Sequence, residues 1–207
     1  MGKKTAEKPG DDVYISAFNR SAEMIVEVAR SSLSKVNRKK ISEAVERICS
    51  AKRVFVYGVG RSGLVAKSFA MRLVQMGLEA YFIGETTTPI VEKGDVTVIV
   101  SNTGETMSAI QTANIVRRVG GEVVVFTGNR YSKLAHAANT VVEVPVPKNH
   151  RGENSAGKWE VVDKNLAPLG TLFEDTTMIL LDALVAMMMK KLGETDESMR
   201  LRHAILV

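Results

Sequence analysis

The sequence predicts an α/β fold, a three-layer sandwich in which a five-stranded parallel sheet is flanked by helices. Five short runs rich in β-branched residues alternate with segments of helical periodicity. These runs are apolar throughout, which is typical of parallel strands that are buried on both faces. Two of the runs end in glycine-rich turns that carry hydroxyl groups, a feature of strands that lead into a helix at a ligand site.

Length and composition favour one domain. With 207 residues, of which 45% are hydrophobic, the chain can bury one substantial core. We therefore expect a disordered tail over 1–12 and a single domain over 13–207. Within that domain, two N-terminal helices precede an α/β core at about 51–145, and a C-terminal helix and tail occupy 169–207.

The predicted elements follow one another as strand and helix. Two helices come first, where apolar residues recur at helical spacing, and a long apolar helix that stops at Gly193 comes last. A loop of prolines, glycines and charges precedes this last helix, and long loops in compact domains are usually functional or disordered. The predicted helices cover 13–36, 41–48, 64–76, 107–119, 132–138 and about 169–192, the strands cover 53–57, 80–83, 96–100, 122–127 and 140–144, and the loop covers 145–168.

Cysteine count and charge restrict location and partners. The single cysteine, Cys49, allows no intramolecular disulfide, so a cytoplasmic location is expected. The net charge of +5 is spread among acids without interleaved aromatic residues, so we expect no nucleic-acid partner. The longest apolar run, 178–189, is too short to span a bilayer and is interrupted by Asp182, so no membrane partner is expected.

The turn after the third strand has the composition of an anion site. Its sequence is Ser-Asn-Thr-Gly-Glu-Thr over 101–106, and a helix follows at once. Gly104 can adopt a positive φ, and the first helical turn offers unpaired amides and the positive end of the helix dipole. Phosphate binding is therefore predicted; the alternative is that Thr103 or Thr106 merely caps the helix. The side-chain donors are Ser101, Asn102, Thr103 and Thr106, with Glu105 in the same turn.

A second glycine-rich turn, Gly-Val-Gly-Arg-Ser-Gly over 58–63, follows the first strand. It satisfies G-x-G-x-x-G, so a dinucleotide site must be considered. Such a site needs an acidic residue at the end of the second strand, and Glu85 lies instead in a segment that resembles a loop. We favour one small phosphorylated ligand between the two turns, bound by Gly60, Arg61 and Ser62; a tight connection without a ligand is the alternative.

Together these motifs resemble the sugar isomerase (SIS) family, whose strand-ending phosphate motif is S-x-S-G-x-T; Thr103 replaces its second serine. The resemblance extends over roughly 13–207. The segment Pro-Leu-Gly-Thr-Leu-Phe-Glu over 168–174 and the terminal Arg-His-Ala-Ile-Leu over 202–206 resemble the 6-phospho-3-hexuloisomerase branch. The resemblance implies a flavodoxin-like or Rossmann-like sheet. Ala167, Asp175 and the terminal Val207 depart from the motifs of that branch and leave substrate detail open.

The resemblance implies an isomerase that interconverts 3-hexulose 6-phosphate and fructose 6-phosphate through an enediol, as in the ribulose monophosphate pathway. Glu174 matches the base of that family, and His203 would assist proton transfer; a glutamate favoured by the helix dipole and an exposed tail histidine are the alternatives. No metal site is expected, because the three histidines are dispersed and have few acids near them. No cofactor is expected, because an enediol mechanism with a carboxylate base needs none. A homo-oligomer, dimer or tetramer, is expected.

Two other functions remain open. An isomerase of arabinose 5-phosphate or of a heptose phosphate would keep the anion site and reposition the acid and base groups. A non-catalytic regulator that binds a sugar phosphate would keep phosphate binding without turnover. A regulator of this type would call for an N-terminal helix-turn-helix domain, and the two helices before residue 51 leave little room for one.

Overall fold

The computed structural model of the chain describes residues 11–147, 163 and 165–203. Helices and strands alternate through the central part of the chain, as the sequence predicts. The elements are α1 (Asp11–Lys35), α2 (Arg38–Ser50), β1 (Val54–Gly58), α3 (Arg61–Gln75), β2 (Ala80–Phe82), β3 (Val96–Val100), α4 (Met107–Arg118), β4 (Glu122–Thr127), α5 (Lys133–His136), β5 (Thr140–Glu143), α6 (Thr171–Leu192) and α7 (Asp196–Leu201).

The sheet is parallel throughout, and its strand order is β2-β1-β3-β4-β5. The prediction of a five-stranded parallel sheet is therefore confirmed. β1 and β3 are neighbours although β2 lies between them in sequence, so the order of strands reverses at this pair. Gly58 at the end of β1 is in register with Val100 at the end of β3. The turns that follow these strands consequently leave the same edge of the sheet side by side, where open α/β sheets bind ligands.

Two apolar cores cover the two faces of the sheet. On one face, α2, α3 and α6 pack against alternate strand residues such as Val56, Val98 and Phe126. On the other face, α4 and α5 pack against residues such as Ile99 and Val125. All five residues of β3 are buried, which explains why this strand consists of β-branched residues without a charged side chain.

Several boundaries differ from the predicted ones. α3 begins at Arg61, three residues before the predicted start, because the last glycine of the preceding turn is already helical. α1 begins at Asp11, and α7 was not predicted. Gly193 ends α6 in the left-handed conformation (φ 73°), as expected.

Part of the sequence lies outside the described residues. Residues 1–10 of the predicted tail (1–12), most of the predicted loop (148–162 and 164), and 204–207 belong to it, whereas residues 11 and 12 of that tail are helical. Across the described ranges, no helix has both the length and the apolar character needed to cross a membrane.

Candidate functional site

The β1 turn (residues 58–63) is closed by two glycines. A Cβ at Gly58 would lie 2.7 Å from the carbonyl oxygen of Ser62, and a Cβ at Gly63 would lie 2.7 Å from that of Gly58. Close backbone packing thus requires both glycines. A strand-to-helix connection without a ligand is enough to explain these two residues of the motif. Gly60 precedes α3 with a φ of 59° and has nothing within 4 Å of an added Cβ. Arg61, the first helical residue, keeps its side chain 56% exposed.

The β3 turn (residues 101–106) is held by its own hydroxyl groups. The amide of Gly104 donates to Ser101 Oγ (3.3 Å), and the amide of Glu105 donates to Thr103 Oγ1 (3.2 Å). Gly104 has a φ of 65°, as its position in a tight turn predicts. Thr106 occupies the N-cap position of α4, but its side chain makes no capping hydrogen bond. Helix capping was the alternative to phosphate binding that the sequence left open for Thr106, and it does not account for this hydroxyl.

A third turn, the β4 turn (residues 128–132), supports the β3 turn and was not predicted. Ser132 is 1% exposed, and its Oγ accepts a hydrogen bond from the Ala135 amide to cap α5. A Cβ at Gly104 would lie 2.0 Å from Ser132 Oγ, so the two turns pack without space between them. The Asn102 carbonyl accepts a hydrogen bond from the amide of Gly128 (2.9 Å). The glycine and serine that follow the fourth strand are the sequence signal for this turn.

Glu105 joins these two turns. Its carboxylate accepts a hydrogen bond from the Lys133 amide (3.1 Å) and lies 3.3 Å from Lys133 Nζ. The hydrogen bond from that amide is the main reason why the pKa of Glu105 lies below its usual value, and the ammonium lowers it further. Glu105 therefore has a structural role, which is to bind Lys133 next to the expected phosphate site.

The carboxylate of Glu174 meets the β1 turn. Glu174 is the fourth residue of α6, its side chain is 11% exposed, and its amide donates to the Gly170 carbonyl (3.0 Å). Arg61 Nε donates to Glu174 Oε2, and another guanidinium nitrogen lies 3.5 Å from Asp175 Oδ1. The hydrogen bond to Glu174 raises the pKa of Arg61. The structure thus joins two residues that the sequence proposed separately, one for binding and one for proton transfer.

His203 is not brought to this group within one chain. It is exposed and follows Arg202, whose Nη1 donates to the carbonyl of Gln75 (3.1 Å), the last residue of α3. Arg61 is the first residue of this 15-residue helix, so its two ends are about 20 Å apart. Within the described part of the chain, no group of three or more His, Cys, Asp or Glu side chains is placed to hold a metal ion.

Residues 47–174 match the SIS domain family, a range that contains the β1 and β3 turns and ends at Glu174. The chain belongs to the SIS domain family. Membership agrees with the observed sheet and with the family resemblance of the sequence motifs.

Several SIS relatives span nearly the whole chain. The 3-hexulose-6-phosphate isomerase of Bacillus subtilis (strain 168) is 35% identical over 90% of this chain and 99% of its own. A protein from Methanococcus jannaschii, whose crystal structure infers a molecular function of 3-hexulose-6-phosphate isomerase, is 29% identical over 88% of this chain and 98% of its own, with a TM-score of 0.75. The Vibrio vulnificus NanR protein complexed with ManNAc-6P is 21% identical over 88% of this chain and 66% of its own, with a TM-score of 0.71, which shows the shared fold alone.

Proposed function

We propose that this SIS protein is an isomerase that interconverts 3-hexulose 6-phosphate and fructose 6-phosphate. The observation that carries the proposal is the contact between Glu174 and Arg61, because it places a shielded carboxylate beside a turn suited to phosphate. The name of the Bacillus subtilis relative, which matches over nearly its full length, supports the choice of substrate.

Phosphate would bind between the β1 and β3 turns. The first turn of α4 presents backbone amides and the positive end of its dipole, and the Thr106 hydroxyl is not used as a cap. In the β1 turn, the residues that would contact the phosphate or the substrate are Gly60, Arg61 and Ser62. We propose the full set of phosphate and substrate contacts as Gly60, Arg61, Ser62, Ser101, Asn102, Thr103, Gly104, Glu105 and Thr106, with Glu105 acting chiefly through its bond to Lys133.

Glu174 would carry the proton between carbons. From 3-hexulose 6-phosphate its carboxylate removes the proton on C2, which gives an enediol between C2 and C3, and it then returns a proton to C3. The C3 oxygen gains a proton as its carbonyl becomes a hydroxyl, and the C2 oxygen loses one. Arg61 orients the carboxylate, and binding energy from the phosphate places the reacting carbons near it. The mechanism uses no cofactor.

His203 would move the proton between the two oxygens, because an imidazole has one ring nitrogen that can donate a proton and one that can accept it. Because Arg202 is bound at the far end of α3, His203 would have to act in the site of a neighbouring copy of the chain. The proposal therefore includes a homo-oligomer, a dimer or a tetramer.

Deuterium exchange from solvent into C3 of fructose 6-phosphate tests the proposal. We expect exchange with the intact protein, and loss of exchange with Glu174→Gln while fructose 6-phosphate still raises the melting temperature. Asp175→Asn is the matched control, because it removes the neighbouring, more exposed carboxylate that also faces Arg61, and it should exchange normally. Thermal protection without exchange in the intact protein would indicate a sugar-phosphate regulator or an isomerase of another sugar phosphate.

A further inference from the structure

Gly170 immediately precedes α6, where the Glu174 side chain folds back over it. In a helix, residues four apart lie on one face, and side chains point towards the N-terminus. A Cβ at Gly170 would lie 2.7 Å from Glu174 Oε1, 3.0 Å from Cδ and 3.4 Å from Oε2. The carboxylate therefore occupies the space that any other residue at position 170 would fill.

The backbone does not require a glycine at position 170. Gly170 has a φ of −92° and a ψ of 5°, which other residues can adopt. The preceding residue, Leu169, has a φ of 53°, a left-handed conformation that favours glycine. The chain thus has leucine at position 169, where the backbone favours glycine, and glycine at position 170, where the backbone does not require it. Because the backbone does not explain Gly170, we attribute this glycine to the space that the Glu174 carboxylate needs.

Arg61 restricts the carboxylate further. Its Nε donates a hydrogen bond to Glu174 Oε2, while a Cβ added at Gly170 would lie closest to Glu174 Oε1. The side chain of Glu174 is 11% exposed, so it has little room to turn towards solvent. A methyl group at position 170 would shift the carboxylate relative to Arg61.

We propose that Gly170 is a positioning residue, which sets where the Glu174 carboxylate lies by leaving it this space. The proposal rests on the proposed function, in which Glu174 is the base. A displacement of about 1 Å at a reacting group can reduce the rate about a hundredfold. Apart from Arg61, the proposed phosphate contacts are not bonded to Glu174, so substrate binding should be largely preserved.

Gly170→Ala is the direct test. Because the atoms that the methyl group meets are at the end of a flexible side chain, the variant should fold and the carboxylate should move. We expect kcat to fall about 10- to 100-fold, with KM changed by about twofold or less. Gly121→Ala is the control for packing strain, since its Cβ would lie 2.9 Å from Cγ1 and 3.3 Å from the carbonyl oxygen of the buried Val116, at the opposite edge of the sheet. Its kcat should be unchanged.

A double-mutant cycle separates positioning from general damage to the loop. Glu174→Asp shortens the side chain by one methylene and withdraws the carboxylate from position 170. Gly170→Ala should therefore cost much less in the Glu174→Asp background than in the intact protein. Deuterium exchange followed over days measures even low rates. Equal losses in the two backgrounds would overturn the inference.

The two proposals fail in different ways. Full activity of Gly170→Ala, with Glu174→Gln inactive, would overturn the positioning role and leave the isomerase function intact. Full exchange by Glu174→Gln would instead refute Glu174 as the base, whatever Gly170→Ala does.

Discussion

Arg61 donates a hydrogen bond to the carboxylate of Glu174 although the two residues are 113 positions apart in sequence. The bond joins the start of α3 to the start of α6. As a result, the turn suited to phosphate and the proposed base share one anchoring group, and a change at either residue is expected to disturb the other.

Loss of the Arg61 charge should impair turnover more than the loss of another exposed cation on α3. Arg61→Gln is expected to lower kcat/KM about 10- to 100-fold, because the Glu174 carboxylate loses its oriented partner. Steady-state kinetics with Lys67→Gln provides the control, as Lys67 is on the same helix, 3.5 Å from Glu85. Equal effects of the two substitutions would indicate a general electrostatic attraction of the substrate.

Substitutions at Thr106 and at Ser132 should have different effects, because we expect Thr106 to bind the ligand and Ser132 to cap a helix. Both are N-cap residues, but only Ser132 makes the capping hydrogen bond. Thr106→Val should raise KM about tenfold, the loss of one hydrogen bond to a charged group, with little change in stability. Ser132→Ala should lower the free energy of unfolding by about 1 kcal/mol. Chemical denaturation and steady-state kinetics on both variants measure this, and a large loss of stability in Thr106→Val would contradict the assignment.

Gly104 should tolerate alanine less well than Gly193. Both have a positive φ, 65° and 73°, so each alanine variant incurs about 1 kcal/mol of backbone strain. At Gly193 nothing lies within 4 Å of the added Cβ, whereas at Gly104 it would lie 2.0 Å from Ser132 Oγ. We therefore expect Gly104→Ala to lose more stability and also phosphate affinity, as measured by denaturation and by inhibition with inorganic phosphate. Similar losses in the two variants would show that the β3 and β4 turns are not tightly packed in solution.

These contrasts also show what could be predicted from the sequence. The bounds of β3 and β4 were predicted correctly, because segments rich in β-branched residues between glycine-containing turns leave few alternatives. The β3 turn could be predicted as a strand-to-helix turn because its hydroxyls, its glycine and the start of the helix are adjacent in sequence. The bond between Arg61 and Glu174 could not be predicted, since it depends on how α3 packs against α6.

Asp95 provides a prediction about pH. Its buried carboxylate accepts hydrogen bonds from Arg53 Nη2 (2.7 Å) and from the Glu92 amide (2.8 Å). Burial by itself would raise the pKa of Asp95, but the hydrogen bonds from Arg53 and from the Glu92 amide outweigh it, so the pKa is lowered. A folded-state pKa below the unfolded value of about 4 means that the carboxylate stabilises the fold above that pH. This contribution is lost as the pH falls through the folded-state pKa.

Asp95→Asn should accordingly lower the free energy of unfolding by about 3 kcal/mol at pH 7, since it leaves Arg53 without its buried partner. The difference from the intact protein should shrink as the pH falls below about 4. Urea denaturation at several pH values measures both effects. Glu92→Gln is the control, because its side chain is 61% exposed and its ion pair with Arg53 should contribute less than about 1 kcal/mol. A pH-independent difference would contradict the role assigned to the Asp95 charge.

Mixing two inactive variants tests whether His203 acts in a neighbouring copy. If it does, Glu174→Gln and His203→Ala should each be inactive as pure samples. Hetero-oligomers formed by co-expression should regain activity, because some sites then combine an intact Glu174 with an intact His203. Full activity of His203→Ala alone would remove His203 from the mechanism, and the absence of any recovery would place both groups in one chain.

In the proposed function, the turns that would hold phosphate follow strands, and the carboxylate comes from a helix that packs on α3. The distance between the proposed phosphate site and Glu174 would then be set by helix packing. With phosphate bound at one end of the sugar, that distance would determine which carbon lies next to Glu174. We expect that repacking the buried residues between α3 and α6, such as Phe69 and Leu180, would shift the attacked carbon while every group that touches the sugar stays the same.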